Sequence, residues 1–436
     1  MIRRMIGGIM SRFLIHGSKA RANVWKGPKH KTRKNGLANH RNLYKFQCLW
    51  RSLRMKKKTA ALIKGHKIRA RRTELKRARL LRSPDERLSN RHRKVKTVTL
   101  YSPGKITPAI SFRPATPMPA RMCMMENPEQ TVLTMETIRS FLRRQPVVYR
   151  VPRAHRSKYI FGYQDFAEVV HITTPAALVL LAEYQRRLMV HGAHPKFVNL
   201  HSWNPNVLEK LCRIGFFSVL GYQDHMIPRR GTENPDLKVM RFIKGSSTDE
   251  LEQIGGQLRS LIDFIDPTVQ IGDVVRKSLV TAIGEAIANV TMHAYTDDHN
   301  FIHQHVGSFW FAGAADLKKR QLSVSMFDQG HTIPKTYDIA KWDKKAVSFI
   351  RNFDANDRHD AIYIEAAVKY GASKTNENHR GNGLPQICNV IENCPGGKIM
   401  VCSRSGIYCS GAGTQPHTQV LNGSIGGTLI SWEVNF

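Results

Sequence analysis

Three polar side chains recur at helical spacing in an otherwise apolar stretch. Glu285, Asn289 and His293 stand at i, i+4 and i+8 within Glu285-Ala286-Ile287-Ala288-Asn289-Val290-Thr291-Met292-His293-Ala294-Tyr295, so a helix there carries a carboxylate, a carboxamide and an imidazole on one face. A carboxylate and an amide one turn apart can hold a hydrated divalent cation and orient a water. A second feature is Phe327-Asp328-Gln329-Gly330-His331-Thr332-Ile333-Pro334. An aspartate closing a strand can point its carboxylate into a pocket and accept a hydrogen bond from an exocyclic amine, and a glycine beside it lets the backbone approach a planar ring. A third is His379-Arg380-Gly381-Asn382-Gly383-Leu384-Pro385-Gln386-Ile387. Its glycines lead into a helix whose early proline marks the first turn. Bare amides at such a helix start bind phosphate, and Arg380 adds charge. The stretch is neither a Walker A loop nor a Rossmann fingerprint, because the Lys-Ser/Thr pair and the third glycine are absent. Each feature also has an ordinary reading: a solvated helix face, a plain turn, a plain helix start.

The elements that must position these residues follow from pattern. Val275, Leu279, Ala282, Ile283, Ala286 and Val290 recur with helical period and predict a helix from Gly272 to Asp297 whose buried face adjoins the polar one. Another helix is predicted from Asp249 to Ile265. Strands are expected at Gly307–Ala314, Leu322–Phe327, Lys398–Ser403 and Thr428–Phe436, with helices at Asp357–Tyr370 and Leu384–Glu392 between them. That order implies an antiparallel-rich sheet covered by helices on one face, an α+β architecture. Upstream, residues 159–225 alternate strand and helix. Phe166–Ile172 reads as a strand, Thr173-Thr174-Pro175 as a capped helix start, Ala176–Val190 as an apolar helix closed by His191-Gly192, Lys196–Leu200 as a strand and Val207–Cys212 as a helix. Residues 99–158 hold a Pro-rich linker and a helix over Glu129–Arg144, and residues 226–248 form a connector.

The 436 residues are enough for two or three domains, and their net charge of +35 is uneven. Residues 1–100 carry 31 Lys/Arg against Glu74, Asp85 and Glu86, whereas the rest of the chain carries only +7. Residues 1–98 therefore read as a basic, largely irregular extension attractive to nucleic acid or an anionic membrane, or as a solvated tail. Trp25, Tyr44, Phe46 and Trp50 interleave with those charges and could stack on bases. Seven irregularly spaced cysteines without a CxxC pair fit reduced thiols and a cytoplasmic location better than a disulfide framework or zinc. No apolar run is long enough to span a bilayer.

In chain order, Glu-x-x-x-Asn on a helix, Asp-x-Gly after a strand, Gly-x-Gly-Leu opening a helix and Gly426-Gly427-Thr428 opening a final strand resemble the GHKL ATPase superfamily of gyrase, heat-shock chaperones, histidine kinases and MutL-type repair proteins. The resemblance covers residues 249–436, and its local text is most similar to the anti-sigma-factor serine kinases. It implies a Bergerat-type α/β sandwich binding ATP and Mg²⁺. Asn289 would bind the metal and Glu285 would act as the catalytic base. Asp328, supported by Thr428, would bond the adenine amine, and Gly330 would admit the base. Arg380, Gly381, Gly383 and Leu384 would meet the phosphates. Asp354–His379 would be a lid. Thr332 stands where the family has a second glycine, and Pro385 also departs from its pattern. Residues 159–225 resemble a STAS domain, whose family phosphorylates a hydroxyl at the positions of Thr173 and Thr174. The expected activity is that of a Ser/Thr-kinase-like regulator or ATPase acting on a protein partner of sigma/anti-sigma type. A homodimer is possible, and the alternative is a nucleic-acid-associated clamp anchored by residues 1–98. With no paired helices bearing a phosphoacceptor, His293 is expected to be structural.

Overall fold

The computed structural model describes residues 96–111, 116–143, 159–160, 163–192, 196–228, 234–267, 270–295, 301, 303–336, 342, 344–354, 359–371, 383–394 and 396–436. The basic extension lies outside these residues except for its last three. So do Arg380, Gly381 and, within the expected lid, residues 355–358 and 372–379. Residues 94–436 form one compact unit of mixed α+β structure.

The hairpin β1 (Lys96–Ser102) and β2 (Lys105–Ser111) begins it, followed by β3 (Thr116–Pro117), β4 (Arg121–Met122) and helix α1 (Pro128–Arg143). Then come β5 (Tyr159–Ile160), β6 (Gln164–Asp165), β7 (His171–Ile172), α2 (Thr174–His191), β8 (Phe197–Val198), α3 (Pro205–Arg213) and α4 (Phe216–Val219). The caps act as their sequences dictate. Thr173 Oγ1 accepts from the Ala176 amide, and Gly192 ends α2 at φ 62°. The stretch expected to be a linker is instead structural: β1 and β2 are the centre of a four-stranded sheet ordered β5-β2-β1-β8. The strand expected over Phe166–Ile172 shortens to β7.

Strands β9 (Leu237–Val239) and β10 (Ile243–Gly245) occupy the expected connector, ahead of α5 (Glu250–Ile265) and α6 (Gln270–Asn289). The remaining elements are β11 (Phe309–Asp316), β12 (Gln321–Asp328), α7 (Ile333–Thr336), α8 (Lys344–Arg351), α9 (Asp360–Tyr370), α10 (Gly383–Asn389), β13 (Lys398–Ser403), β14 (Gly406–Gly411), β15 (Thr414–Val420) and β16 (Thr428–Asn435). An eight-stranded antiparallel sheet runs β10-β11-β12-β16-β13-β14-β15, with β9 also on β11. Helix α9 lies inside the stretch expected to be a lid. It buries Ala361, Ile362, Ile364, Ala366 and Ala367, so residues 360–370 are packed scaffold.

The large sheet is covered on both faces, not one. Alternate residues of a strand enter different cores. Phe309 and Phe311 of β11, with Ile399 and Val401 of β13, join α5 and α6. Trp310 and Ala312, with Phe327, Met400, Cys402 and Leu429, join α1 and α2. The segment read as a separate STAS-like domain therefore shares its core with the ATPase-like segment, and no boundary at 226–248 divides them.

One buried ion cluster fixes this junction. Glu183 of α2 sits between Arg139 of α1 (Nε–Oε1 3.0 Å) and Arg186 (Nε–Oε2 3.3 Å), and all three side chains are at most 2% exposed. The spare guanidinium donors go to the chain before β16. Arg139 donates to the carbonyls of Ser424 (2.9 Å) and Ile425, and Arg186 to that of Gly426 (3.1 Å). Removing one member of such a cluster strands an uncompensated buried charge. Glu183→Ala is expected to cost about 3–5 kcal/mol of unfolding free energy, read from the denaturant midpoint.

Candidate functional site

Helix α6 buries Val275, Leu279, Ala282, Ile283, Ala286 and Ile287 against the sheet. This leaves Glu285 and Asn289 half-buried along its adjoining face. Helix α10 starts directly over them. A Cβ on Gly383 would stand 3.1 Å from Asn289 Nδ2, 3.3 Å from its Oδ1 and 3.5 Å from Glu285 Oε2. The third sequence feature thus meets the first, at an approach that a side chain on residue 383 would crowd. Leu384, partly buried, anchors the same helix start in the core.

The second feature meets the first at the other end of the helix. After Asn289 the helix widens into one π turn, Val290–Ala294, a distortion common at functional sites. The Ala294 carbonyl accepts from the His331 amide at 2.8 Å. A Cβ on Gly330 would lie 2.4 Å from both the Ala294 Cβ and its carbonyl oxygen, so glycine is required for this approach. Tyr295, next along, donates its hydroxyl to the Ser308 carbonyl at 2.6 Å and accepts from the Gln329 amide at 2.8 Å. Burial, aided by the charge of Asp328, pushes its phenol far above the ordinary range, so it stays a donor. His293 lies half-buried in the π turn.

Asp328 closes β12, opposite Phe309 on one side and Thr428 on the other. It is buried, and its Oδ1 accepts from the Gly330 amide at 2.8 Å. Burial raises its carboxyl to about 7, and the Gly330 hydrogen bond offsets that only in part. Thr428 Oγ1 lies 3.0 Å from Ser403 Oγ, which accepts from the Ile333 amide at 2.9 Å. Gly427, just before Thr428, runs so close to β12 that a Cβ would stand 1.8 Å from the Asp328 carbonyl oxygen. The Thr332 hydroxyl is buried with no hydrogen-bond partner among the described residues. A buried orphan of this kind calls for a water or a ligand atom.

The structure therefore gathers Glu285, Asn289, Gly383 and Leu384 at one end and Asp328, Gly330, Thr332 and Thr428 at the other, joined by the π turn. Tyr295 and Ser403 hold the second group in place and had no assigned role in the sequence. Tyr295 ended the motif text, whereas Ser403 acquires its place only through strand register. Thr174 is buried at 4% and Thr173 is engaged as a helix cap, so neither presents a free hydroxyl as a phosphoacceptor must. Comparison with protein-family models gives no match, and comparison with curated proteins gives none either.

The state of Asp328 has a measurable consequence. Between about pH 4, where an unfolded aspartate ionises, and about pH 7, the folded chain holds a proton there that the unfolded chain has released. This group's contribution to stability is therefore largest at the acid end of that window and falls as pH rises through it. Asp328→Asn is expected to gain stability relative to the parent between pH 4 and 8, measured by denaturant unfolding at several pH values. A constant difference between the two proteins would refute the assignment.

Proposed function

We propose that this chain binds Mg²⁺-ATP between α6, the ends of β12 and β16, and the start of α10. In this reading it acts as a GHKL-type phosphotransferase or ATPase on a protein partner. The observation that carries this is the seating of Gly383 against Glu285 and Asn289. Residues far apart in sequence bring a carboxamide, a carboxylate and a helix N-terminus to one place. Those are the groups that a metal-bound triphosphate and its attacking nucleophile need.

The donor set fits the metal. An amide oxygen is a hard ligand, and Mg²⁺ takes few protein ligands, with phosphate oxygens and waters completing its shell. When bound it offsets phosphate charge. The chain's own residues do the rest. Gly383 admits the phosphates to the α10 amides, and Leu384 fixes that helix start. Glu285 takes the proton from a water or a serine hydroxyl. The Asp328 carboxylate accepts from the adenine amine, Thr428 supports that end, and Thr332 offers a further hydroxyl to the base. Gly330 keeps the β12 turn low enough for a planar ring.

Three variants separate these roles. Asn289→Ala and Asp328→Ala are each expected to weaken Mg²⁺-ATP binding by about 10–100-fold, the loss of one hydrogen bond or ligand to a charged group. Glu285→Gln should bind ATP as the parent does and lose about 10²–10⁴-fold in phosphate release or transfer, followed with γ-labelled ATP. Unchanged affinity in both Asn289→Ala and Asp328→Ala would sink the reading.

A second reading rests on the charge of residues 1–100. There the nucleotide site would serve a clamp on nucleic acid, anchored by the basic segment. Binding to duplex DNA or RNA should then fall steeply with salt and disappear when residues 1–93 are removed, whereas residues 94–436 keep the nucleotide site.

A further inference from the structure

A cavity of about 580 Å³ opens between β7, α3, β9 and the β11–β12 turn. None of its lining residues belongs to the candidate nucleotide site. Lys210 of α3 lines it. Its ammonium donates to the Ile172 carbonyl at 2.9 Å, which uses one of three donors. Among the described residues no carboxylate pairs with it. The neighbouring acids are already engaged: Asp236 with Lys318 at 2.7 Å, and Glu126 with Arg121 at 2.5 Å. Glu209 is the further acid of the lining, on the same helix as Lys210.

The local field is cationic. Arg213 and His171 line the same cavity. Lys210 and Arg121 add to burial in holding His171 below its usual range, and burial lowers Lys210 to about 8. A half-buried ammonium with unused donors and no carboxylate partner among the described residues is poorly compensated as it stands, and an entering anion offsets that. Asn206 and Asn234 also line the cavity, and side-chain amides there can bond hydroxyls. The volume matches that of small-molecule sites.

We propose that this cavity binds a small soluble organic phosphate, whose phosphoryl group is the counter-ion of Lys210 and Arg213. A phosphoryl dianion matches two cations better than a carboxylate does, and the lining amides take the hydroxylated remainder. The site is independent of the nucleotide reading.

The test is calorimetric titration of the full chain with glucose 6-phosphate, using glucose as the neutral control and Asn289→Ala to weaken the nucleotide site. Glucose 6-phosphate should bind, glucose should not, and Asn289→Ala should leave binding unchanged. Lys210→Met should weaken it at least tenfold, and Arg213→Gln severalfold. Lys210→Met removes a poorly compensated charge, so its melting temperature should equal or exceed the parent's, which makes its loss of binding interpretable. If Lys210→Met fails to fold, Arg213→Gln alone decides. No binding of glucose 6-phosphate, equal binding of glucose, or affinity indifferent to Lys210 and Arg213 overturns the proposal.

Discussion

Glu183, held between two buried arginines, governs how the rest of this molecule can be arranged. Three charges at most 2% exposed are tolerable only if every remaining donor finds an acceptor. The terminal guanidinium nitrogens of Arg139 and Arg186 find theirs on the backbone of Ser424, Ile425, Gly426 and Gln304. The cluster thereby fixes the turn into β16. Gly426 turns at φ 79°, and a Cβ there would stand 2.1 Å from the Arg139 guanidinium carbon, so the arginine occupies the space a side chain would need. One residue on, Gly427 presses against Asp328. The next, Thr428, lies in register with both Asp328 and Ser403. Helices near the start of the described chain thus set the geometry of a site built from its end.

The site itself is organised by close backbone approaches. Gly330 on Ala294, Gly383 on Asn289 and Gly427 on Asp328 are each a place where a methyl group would collide or fill the space. Each brings a different element toward α6 or β12. Tyr295 joins these elements with a hydroxyl that donates to β11's approach and accepts from β12's turn. The π turn, Val290–Ala294, leads directly into Tyr295.

Much of this was legible in the sequence wherever local rules decide. Cap residues marked the starts of α2 and α3, and period placed α5 and α6 within a few residues. The order of the polar motifs picked out the residues that fold together. What stayed hidden depended on partners. The run Phe309-Trp310-Phe311-Ala312 is apolar at every position, which is the pattern of a strand buried on both faces. Only its packing reveals which helices supply the second face. Strand β15 is exposed along its whole length and has no apolar alternation, so nothing local marked it. Strands β1 and β2 sit among prolines and passed for a linker. Nothing local set Arg139 apart within its helix. A better signal was Glu183 and Arg186 following the apolar run of α2, three residues apart on one face and too deep in the pattern to be wet.

The two-faced sheet also limits how such a chain can have been assembled. A segment whose sheet keeps one face bare can be moved between proteins as a cassette and joined to new neighbours through a linker. Here that face carries Trp310, Phe327, Cys402 and Leu429, each buried under α1 and α2. Recombination that exchanged residues 96–225 would expose this surface and leave the turn before Thr428 without its arginines. The two halves must therefore vary together, one helix surface in step with one sheet surface.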